Sequence, residues 1–174
     1  ILLTDNEGWG LSLTEAILVG NPIIANVQGG MQDQMRFEDE NGKWIDFNID
    51  FPSNHRGTYK KCGEWAFPVF PSNISIQGSP QTPYIYSSRC SPEDAAKQIE
   101  NVYKLEKNER KQKGLKGREW AIGDEAGFTS QHQAERVIDA FDELFKTWQP
   151  RESFEMINAT EWTPTVSIKH KLIY

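Results

Sequence analysis

The first 26 residues alternate between short apolar runs and a helical pattern, and this order restricts the folds open to the chain. Residues 1–4 and residues 22–26 each have the composition of a short buried strand. Between them, Ser12 and Glu15 have the spacing of a capping box, and Gly20 is typical of the end of a helix. A strand, a helix and a strand in so short a segment predict a right-handed crossover and a parallel sheet.

The middle of the chain is less regular. Residues 32–37 predict a short helix, and residues 43–49 alternate well enough to predict a strand. Residues 50–90 contain five Pro among several aromatic side chains. Such a segment is too aromatic for a linker and too broken for regular elements. We therefore expect an ordered insertion at about 50–90, with short strands near 65–70 and 84–87.

Helices are expected in the last third of the chain. Ser91 and Pro92 form a strong helix start, followed by acidic residues in the first turn. A second helix is predicted over residues 108–121, loosened by its glycines Gly114 and Gly117. The longest helix is predicted over residues 130–148, ending before a proline. Two apolar stripes are expected on these helices: Ala95, Ile99, Val102 and Tyr103 on the first, and Ala134, Val137, Ile138, Phe141, Leu144, Phe145 and Trp148 on the last.

The predicted fold class is α/β, with a Rossmann-like parallel sheet flanked by helices. The length of 174 residues suits one domain. We assign residues 1–149 to it and residues 150–174 to a C-terminal tail. Because the chain opens on an apolar strand without a methionine, we also expect that residues upstream are missing.

Composition excludes several classes of function. A net charge of −6 argues against a nucleic-acid partner, which requires a basic face. No apolar run is long enough to span a membrane, and Cys62 and Cys90 suggest free thiols in a reducing compartment. We expect a cytoplasmic protein, and the basic residues within 104–118 leave peripheral attachment to a membrane open. With dispersed histidines and no Asp-x-Asp motif, we expect no metal.

The most informative segment is residues 7–16, Glu-Gly-Trp-Gly-Leu-Ser-Leu-Thr-Glu-Ala. It places a glycine-flanked turn after the first predicted strand and before the first helix. In open α/β sheets, ligands bind at this end of the strands. The free amides of a first helical turn favour a phosphate, and Gly8 and Gly10 allow its close approach. Glu7 and Glu15 could then accept hydrogen bonds from ligand hydroxyls.

Residues 7–16, together with Gly-Asn-Pro-Ile-Ile-Ala at 20–25 and the pair Gly29 and Gly30, resemble the signature of the group-1, glycogen-synthase-like glycosyltransferases. These are retaining enzymes of the GT-B fold, in which two Rossmann-like domains clasp a nucleotide sugar. The resemblance implies a glycosyltransferase that binds a nucleotide-diphosphate sugar as co-substrate, without a metal or other cofactor. It also implies an N-terminal acceptor domain that this sequence lacks, and a glycan, lipid or protein acceptor of unknown identity.

The resemblance also implies a role for each matching residue. Glu7 would contact hydroxyls of the transferred sugar near the reacting carbon and is the candidate catalytic residue. Glu15 would hold the ribose hydroxyls. The remaining donor-binding residues fall into three groups. The turn amides of Gly8, Trp9 and Gly10 would face the sugar and diphosphate, and the amides of Leu11 and Ser12 would meet the phosphate. The loop with Gly29 and Gly30 would line the cleft.

Other interpretations stay open at this point. Glu15 could serve only as the capping partner of Ser12, and Trp9 could pack in the core instead of stacking on a ligand. The domain could also be a degenerate, non-catalytic relative that binds a glycan or a partner through the insertion. A nucleotide-sugar epimerase or a phosphorylase of the same fold is a further alternative. The insertion itself is expected to form a wall or a lid over the cleft.

Overall fold

The computed structural model describes residues 1–82 and 84–150, so the predicted tail lies outside the described residues apart from its first position. Residues 1–136 form one unit, and the described residues from 137 onward belong to a second unit. None of the helices in the described part of the chain has the length and apolar content needed to cross a lipid bilayer.

The first unit contains a small parallel sheet flanked by helices. Strand β1 (Ile23–Asn26) pairs in parallel with strand β2 (Ala66–Val69). On the other side of β1, Leu2 forms a single parallel bridge with Ala25. Helix α1 (Leu11–Leu18) connects the Leu2 segment to β1. The predicted strand–helix–strand order and the parallel pairing are therefore confirmed, although the first predicted strand is reduced to one bridge.

The start of α1 differs from the prediction. The helix begins two residues after Trp9, and its N-cap is Gly10 in the left-handed region at φ 84°, with no capping side chain. Ser12 lies inside the first turn and is exposed, so the predicted capping box with Glu15 is wrong. Glycine adopts this φ without a steric penalty, so the chain can pass from the turn into α1 at Gly10. Gly20 follows the helix at φ 79°, as expected for its end.

The segment after β1 is mostly irregular. Two short 3-10 helices, Gly29–Met31 and Asp33–Met35, replace the predicted helix over 32–37. The predicted strand over 43–49 is wrong, since that segment forms only an antiparallel bridge between Glu38 and Trp44. The rings of Trp44 and Trp120 pack edge to face there, and Ile45 and Phe47 are partly buried against the core.

The insertion contains more strand than expected. Besides β2, it forms an antiparallel hairpin of strands β3 (Asn73–Gln77) and β4 (Ile85–Arg89). The two strands predicted near 65–70 and 84–87 are confirmed. Strand β3 was not predicted, although its sequence Asn-Ile-Ser-Ile-Gln alternates polar and apolar residues as strands often do.

Three helices follow the hairpin: α2 (Pro92–Lys104), α3 (Lys107–Ile122) and α4 (Ser130–Thr147). The Ser91 hydroxyl accepts a hydrogen bond of 3.0 Å from the Asp94 amide, which confirms the predicted cap. The expected apolar stripe on α2 is only partly buried. Ala95 is in the core, but Ile99 is 49% exposed and Tyr103 is 79% exposed.

Helix α3 packs closely through its two glycines. A Cβ on Gly114 would overlap the carbonyl oxygen of Gly20, and a Cβ on Gly117 would meet the ring of Trp65. Whatever these glycines cost in helix propensity, they allow other groups to approach the backbone of α3 closely. The Gly114 contact attaches α3 to the turn after α1. The Gly117 contact attaches it to a core of thirteen side chains: Leu13, Ile17, Ile23, Ala25, Val27, Met31, Met35, Phe37, Trp65, Ala66, Trp120, Ala121 and Ala126.

Helix α4 has the predicted bounds to within one residue. The apolar side chains expected on its buried face are exposed where the structure describes them. A helical pattern specifies which residues share a face, but it does not specify what covers that face. The exposed residues are Val137, Ile138, Phe141, Leu144, Phe145 and, just after the helix, Trp148.

Candidate functional site

The two halves of the sequence motif meet through backbone contacts. The Gly30 amide donates a hydrogen bond of 3.1 Å to the carbonyl oxygen of Gly8. A Cβ on Gly29, where φ is +49°, would overlap the carbonyl oxygen of Glu7. Glycine is therefore required at this crossing, and the loop after β1 lies directly against the turn that precedes α1.

A cleft of about 760 Å³ opens beside this crossing, and we call it the Glu7 cleft. Of the predicted site residues, Glu7 and Gly29 line it, and Gly30 is buried behind the turn. Glu7 is half-buried, and its carboxylate accepts a hydrogen bond of 3.4 Å from the Trp9 amide. The remaining lining residues come from the same two loops and from the insertion: Asn6, Gln28, Pro52, Ser53, His55, Arg56, Ile74, Tyr86 and Ser88.

One wall of the Glu7 cleft is the loop of residues 52–56. Asn54 is fully buried, and its backbone N–H donates a hydrogen bond of 2.8 Å to the side-chain oxygen of Gln32. The Asn54 side chain also exchanges two hydrogen bonds with the backbone of Tyr59, at 2.8 and 3.0 Å. These bonds hold the loop next to the 3-10 helices, so His55 and Arg56 are brought to the cleft by tertiary contacts.

The β3–β4 hairpin forms another wall. The Arg89 guanidinium pairs with the Asp5 carboxylate at 2.9 Å, and the Ser88 amide donates to the Asp5 carbonyl oxygen at 2.9 Å. Buried Asn26, at the end of β1, donates to the carbonyl oxygens of Thr4 at 2.9 Å and Ser88 at 2.6 Å. The hairpin is thus attached to the segment that leads into Glu7. This arrangement agrees with the expectation that the insertion walls the cleft.

The charges of the Glu7 cleft are few and of both signs. Among the described residues that line it, Glu7 is the only acid, and Arg56 is the only arginine or lysine. The pKa of the neighbouring His55 is lowered, first by its burial and second by the positive charge of Arg56. Amide and hydroxyl groups make up much of the remaining lining, together with Ile74 and Tyr86. Such a surface suits a polar ligand that carries hydroxyl groups.

The first turn of α1 lies outside the lining of the Glu7 cleft. Leu11 is 71% exposed, and Ser12 and Glu15 are also exposed. Within the described part of the chain, neither the Leu11 nor the Ser12 amide has a hydrogen-bond acceptor. Gly8 is exposed with open space around its Cα, whereas Gly10 is buried. The predicted residues of α1 are therefore accessible but are not gathered into the same cleft as Glu7.

Trp9 packs against protein groups. Its ring nitrogen donates a hydrogen bond of 2.9 Å to the Thr14 hydroxyl, and its ring lies edge to face with Phe128 at 5.4 Å. The ring lines a second cleft of about 620 Å³, whose other walls include Trp44 and Asp33. Burial, and second the carboxylate of Asp46, raises the pKa of Asp33 to about 6. Of the two interpretations of Trp9, the structure favours packing.

Sequence reasoning did not identify the residues that the insertion brings to the Glu7 cleft. His55 was considered only as one of the dispersed histidines that argue against a metal site, and no role was assigned to Arg56. Their position depends on the contact between Gln32 and Asn54, which are 22 residues apart. No local pattern in the sequence reports such a contact.

Comparisons with known protein families, with curated proteins and with solved structures found no match to this chain.

Proposed function

We propose that this chain is the donor-binding part of a retaining GT-B glycosyltransferase, and that the Glu7 cleft holds the sugar of a nucleotide-diphosphate sugar. The observation that carries the proposal is the crossing of Glu7 and Gly8 with Gly29 and Gly30. The two halves of the motif are separated by a helix and a strand, yet they share one cleft. A Rossmann-like sheet, with β1 and β2 as two of its strands, is part of this proposal.

The carboxylate of Glu7 accepts hydrogen bonds from sugar hydroxyls in the proposed complex. Its position in the turn is supported by the Trp9 amide, which already donates to it. Orientation of the sugar is the contribution expected from such a group, because fixing the reacting geometry removes much of the entropic barrier. Glu7 is proposed to position the donor and is not proposed as a nucleophile.

The amides of Leu11 and Ser12 are proposed to meet the diphosphate. As the bond between the anomeric carbon and the phosphate oxygen breaks, its electron pair leaves with the nucleoside diphosphate. The acceptor oxygen forms the new bond on the same face, and its proton passes to the departing phosphate oxygen. Free amides and the positive end of the α1 dipole favour the charge that develops on the leaving group.

Glu15 is proposed to accept hydrogen bonds from the ribose hydroxyls. The structure lends this role some support, because Gly10 replaces the predicted cap and the Glu15 side chain is exposed one turn into α1. The acceptor, its binding domain and a cytoplasmic location with peripheral membrane attachment remain part of the proposal. No metal ion is included in it.

Calorimetric titration of this chain with UDP, GDP, ADP and their hexose conjugates tests the proposal. We expect one nucleotide to bind with a Kd in the millimolar range or below, and Glu15→Gln to weaken it roughly tenfold, as for the loss of a hydrogen bond to a charged group. Glu119→Gln, an exposed acid on α3, is the matched control. Failure of all these ligands to bind would contradict the proposal, and binding of glycans alone would favour the non-catalytic alternative.

A further inference from the structure

Arg56 brings a positive charge to the Glu7 cleft that no group in the described structure neutralises. Within the described residues it has no ion-pair partner, whereas Arg89 pairs with Asp5 and Arg36 pairs with Glu125. Arg56 is exposed, so its guanidinium is hydrated in the free chain and its planar set of donors is accessible to a ligand. Those donors match the geometry of carboxylate and phosphate oxygens.

The loop that carries Arg56 is held in place before any ligand binds. Asn54, two residues earlier, is fully buried and bonded to Gln32 and Tyr59. Gly57, the next residue, is buried with φ +67°. Because the backbone on both sides is fixed, binding orders only the Arg56 side chain, which lowers the entropic cost of an interaction there.

The groups around Arg56 also favour an anion on its side of the cleft. His55 lies next to it in the loop, and the nearby lining residues Ser53 and Gln28 carry a hydroxyl and an amide. Glu7, the one acid among the described lining residues, belongs to a different segment and would repel an anion that lies close to its carboxylate. A ligand with hydroxyls near Glu7 and an oxyanion near Arg56 would donate hydrogen bonds to the Glu7 carboxylate and accept them from the Arg56 guanidinium.

We propose that Arg56, with His55 beside it, forms an oxyanion-binding site in the Glu7 cleft, which takes a phosphate or a carboxylate group of the ligand. The oxyanion site itself does not depend on the proposed function. Only the assignment of the bound group to a sugar nucleotide rests on that function. In that case the group is either the diphosphate of the donor, which Arg56 would share with the Leu11 and Ser12 amides, or a carboxylate on its sugar. The shared chemistry is a compact oxyanion, and the two sources can be separated experimentally.

The test uses the full 174-residue chain with inorganic pyrophosphate and D-glucuronate as probes, and D-glucose as the neutral reference. Affinity is measured by calorimetry for the unmodified chain, for Arg56→Gln and for Lys111→Gln, which removes an exposed charge on α3. We expect at least one anion to bind, Arg56→Gln to weaken it tenfold or more, and Lys111→Gln to leave it unchanged. Preference for pyrophosphate identifies the diphosphate as the source, and preference for glucuronate identifies the sugar.

A second readout is the ring titration of His55, followed by NMR. In the free chain its pKa is lowered by burial and by Arg56. An oxyanion bound between the two side chains stabilises the protonated ring, so the bound anion should raise the pKa of His55. A merely structural role of Arg56 would not produce this ligand-dependent change.

The inference is overturned if the unmodified chain binds neither anion, or if Arg56→Gln binds the anions as tightly as the unmodified chain does. Its failure is distinguishable from failure of the proposed function. Anion binding that depends on Arg56, without binding of any nucleotide, supports the oxyanion site and contradicts the glycosyltransferase. Nucleotide binding, together with affinities for pyrophosphate and glucuronate that are equal in the unmodified chain and in Arg56→Gln, supports the glycosyltransferase and contradicts the oxyanion site.

Discussion

The Gly30 amide donates a hydrogen bond of 3.1 Å to the carbonyl oxygen of Gly8, and this bond joins the loop after β1 to the turn before α1. It fixes the separation of two segments whose side chains and backbone line the Glu7 cleft. Both partners are glycines, but close packing requires a glycine only at position 30. Gly30 has no room for a Cβ, whereas Gly8 has open space around it.

Gly30→Ala should destabilise the chain. A Cβ at this position would overlap the Gly8 carbonyl oxygen and would lie 2.8 Å from a ring carbon of Trp9. Because the obstruction includes backbone, we expect a loss of about 2–4 kcal/mol in the free energy of unfolding, at or above the usual range for overpacking. Chemical denaturation followed by tryptophan fluorescence measures the loss.

Gly8→Ala is the matched control for this crossing. Its Cβ would meet nothing within 4 Å, so the free energy of unfolding should change by less than roughly 0.5 kcal/mol. Equal losses for the two alanine variants would show that the crossing is not as close as described.

Gly117→Ala should destabilise the chain, although alanine is the better helix former. Helix propensity alone would stabilise α3 by roughly 1 kcal/mol. The added methyl group would instead displace the Trp65 ring, which is buried in the core, and we expect a net loss of about 1–3 kcal/mol. Gln112→Ala, an exposed position of the same helix, is the control and should not destabilise it. A more stable Gly117→Ala variant would contradict the close packing of α3 on Trp65.

Asn26→Asp should weaken the attachment of the hairpin. The Asn26 side chain donates to two carbonyl oxygens, on Thr4 and Ser88, and a carboxylate can donate to neither. A buried charge beside two acceptors should cost roughly 2–4 kcal/mol in the free energy of unfolding. Asn21→Asp makes the same chemical change at an exposed position and should have little effect. Thermal denaturation compares the two variants, and similar melting temperatures would argue against the buried bonds.

Stability should depend on pH through Asp33. Burial, and second the charge of Asp46, raises its pKa to about 6 in the folded chain, above that of an ordinary aspartate. The contribution of this group to stability is therefore fully present below pH ~4 and is lost as the pH rises through about 6. Asp33→Asn removes the charge, so it should be more stable than the unmodified chain at pH 8, by roughly 1–2 kcal/mol after allowance for partial exposure.

The gain from Asp33→Asn should disappear near pH 4, where the unmodified carboxyl is protonated. Urea denaturation at both pH values measures it, with Asp139→Asn, an exposed residue of α4, as the control. A gain that is the same at both pH values would contradict the raised pKa of Asp33.

Local signals in the sequence predicted the elements that depend on local chemistry. Ser91 and Pro92 start α2, Gly20 follows α1 in the left-handed region, and the bounds of α3 agree to within one residue. Elements that depend on distant partners were not predictable in this way. The close packing of Gly117 depends on Trp65, which belongs to a segment far from α3 in the sequence.

The candidate site shows the same division. The motif named Glu7 and Gly29, and the structure places both in the lining of one cleft. It could not name Arg56, because that residue arrives through the contact of Asn54 with Gln32. Ser12 was misjudged as a cap, since a hydroxyl with the right spacing does not reveal that Gly10 adopts a positive φ and starts the helix earlier.

The most direct test of the central claim compares a nucleoside diphosphate with its sugar conjugate in the unmodified chain and in Glu7→Gln. If Glu7 binds the sugar, the conjugate should bind the unmodified chain several-fold more tightly than the diphosphate does. Glu7→Gln should remove this difference and leave the affinity for the diphosphate unchanged. A difference that survives in Glu7→Gln, or a conjugate that binds no more tightly than the diphosphate to the unmodified chain, would contradict the claim that the Glu7 cleft holds the donor sugar.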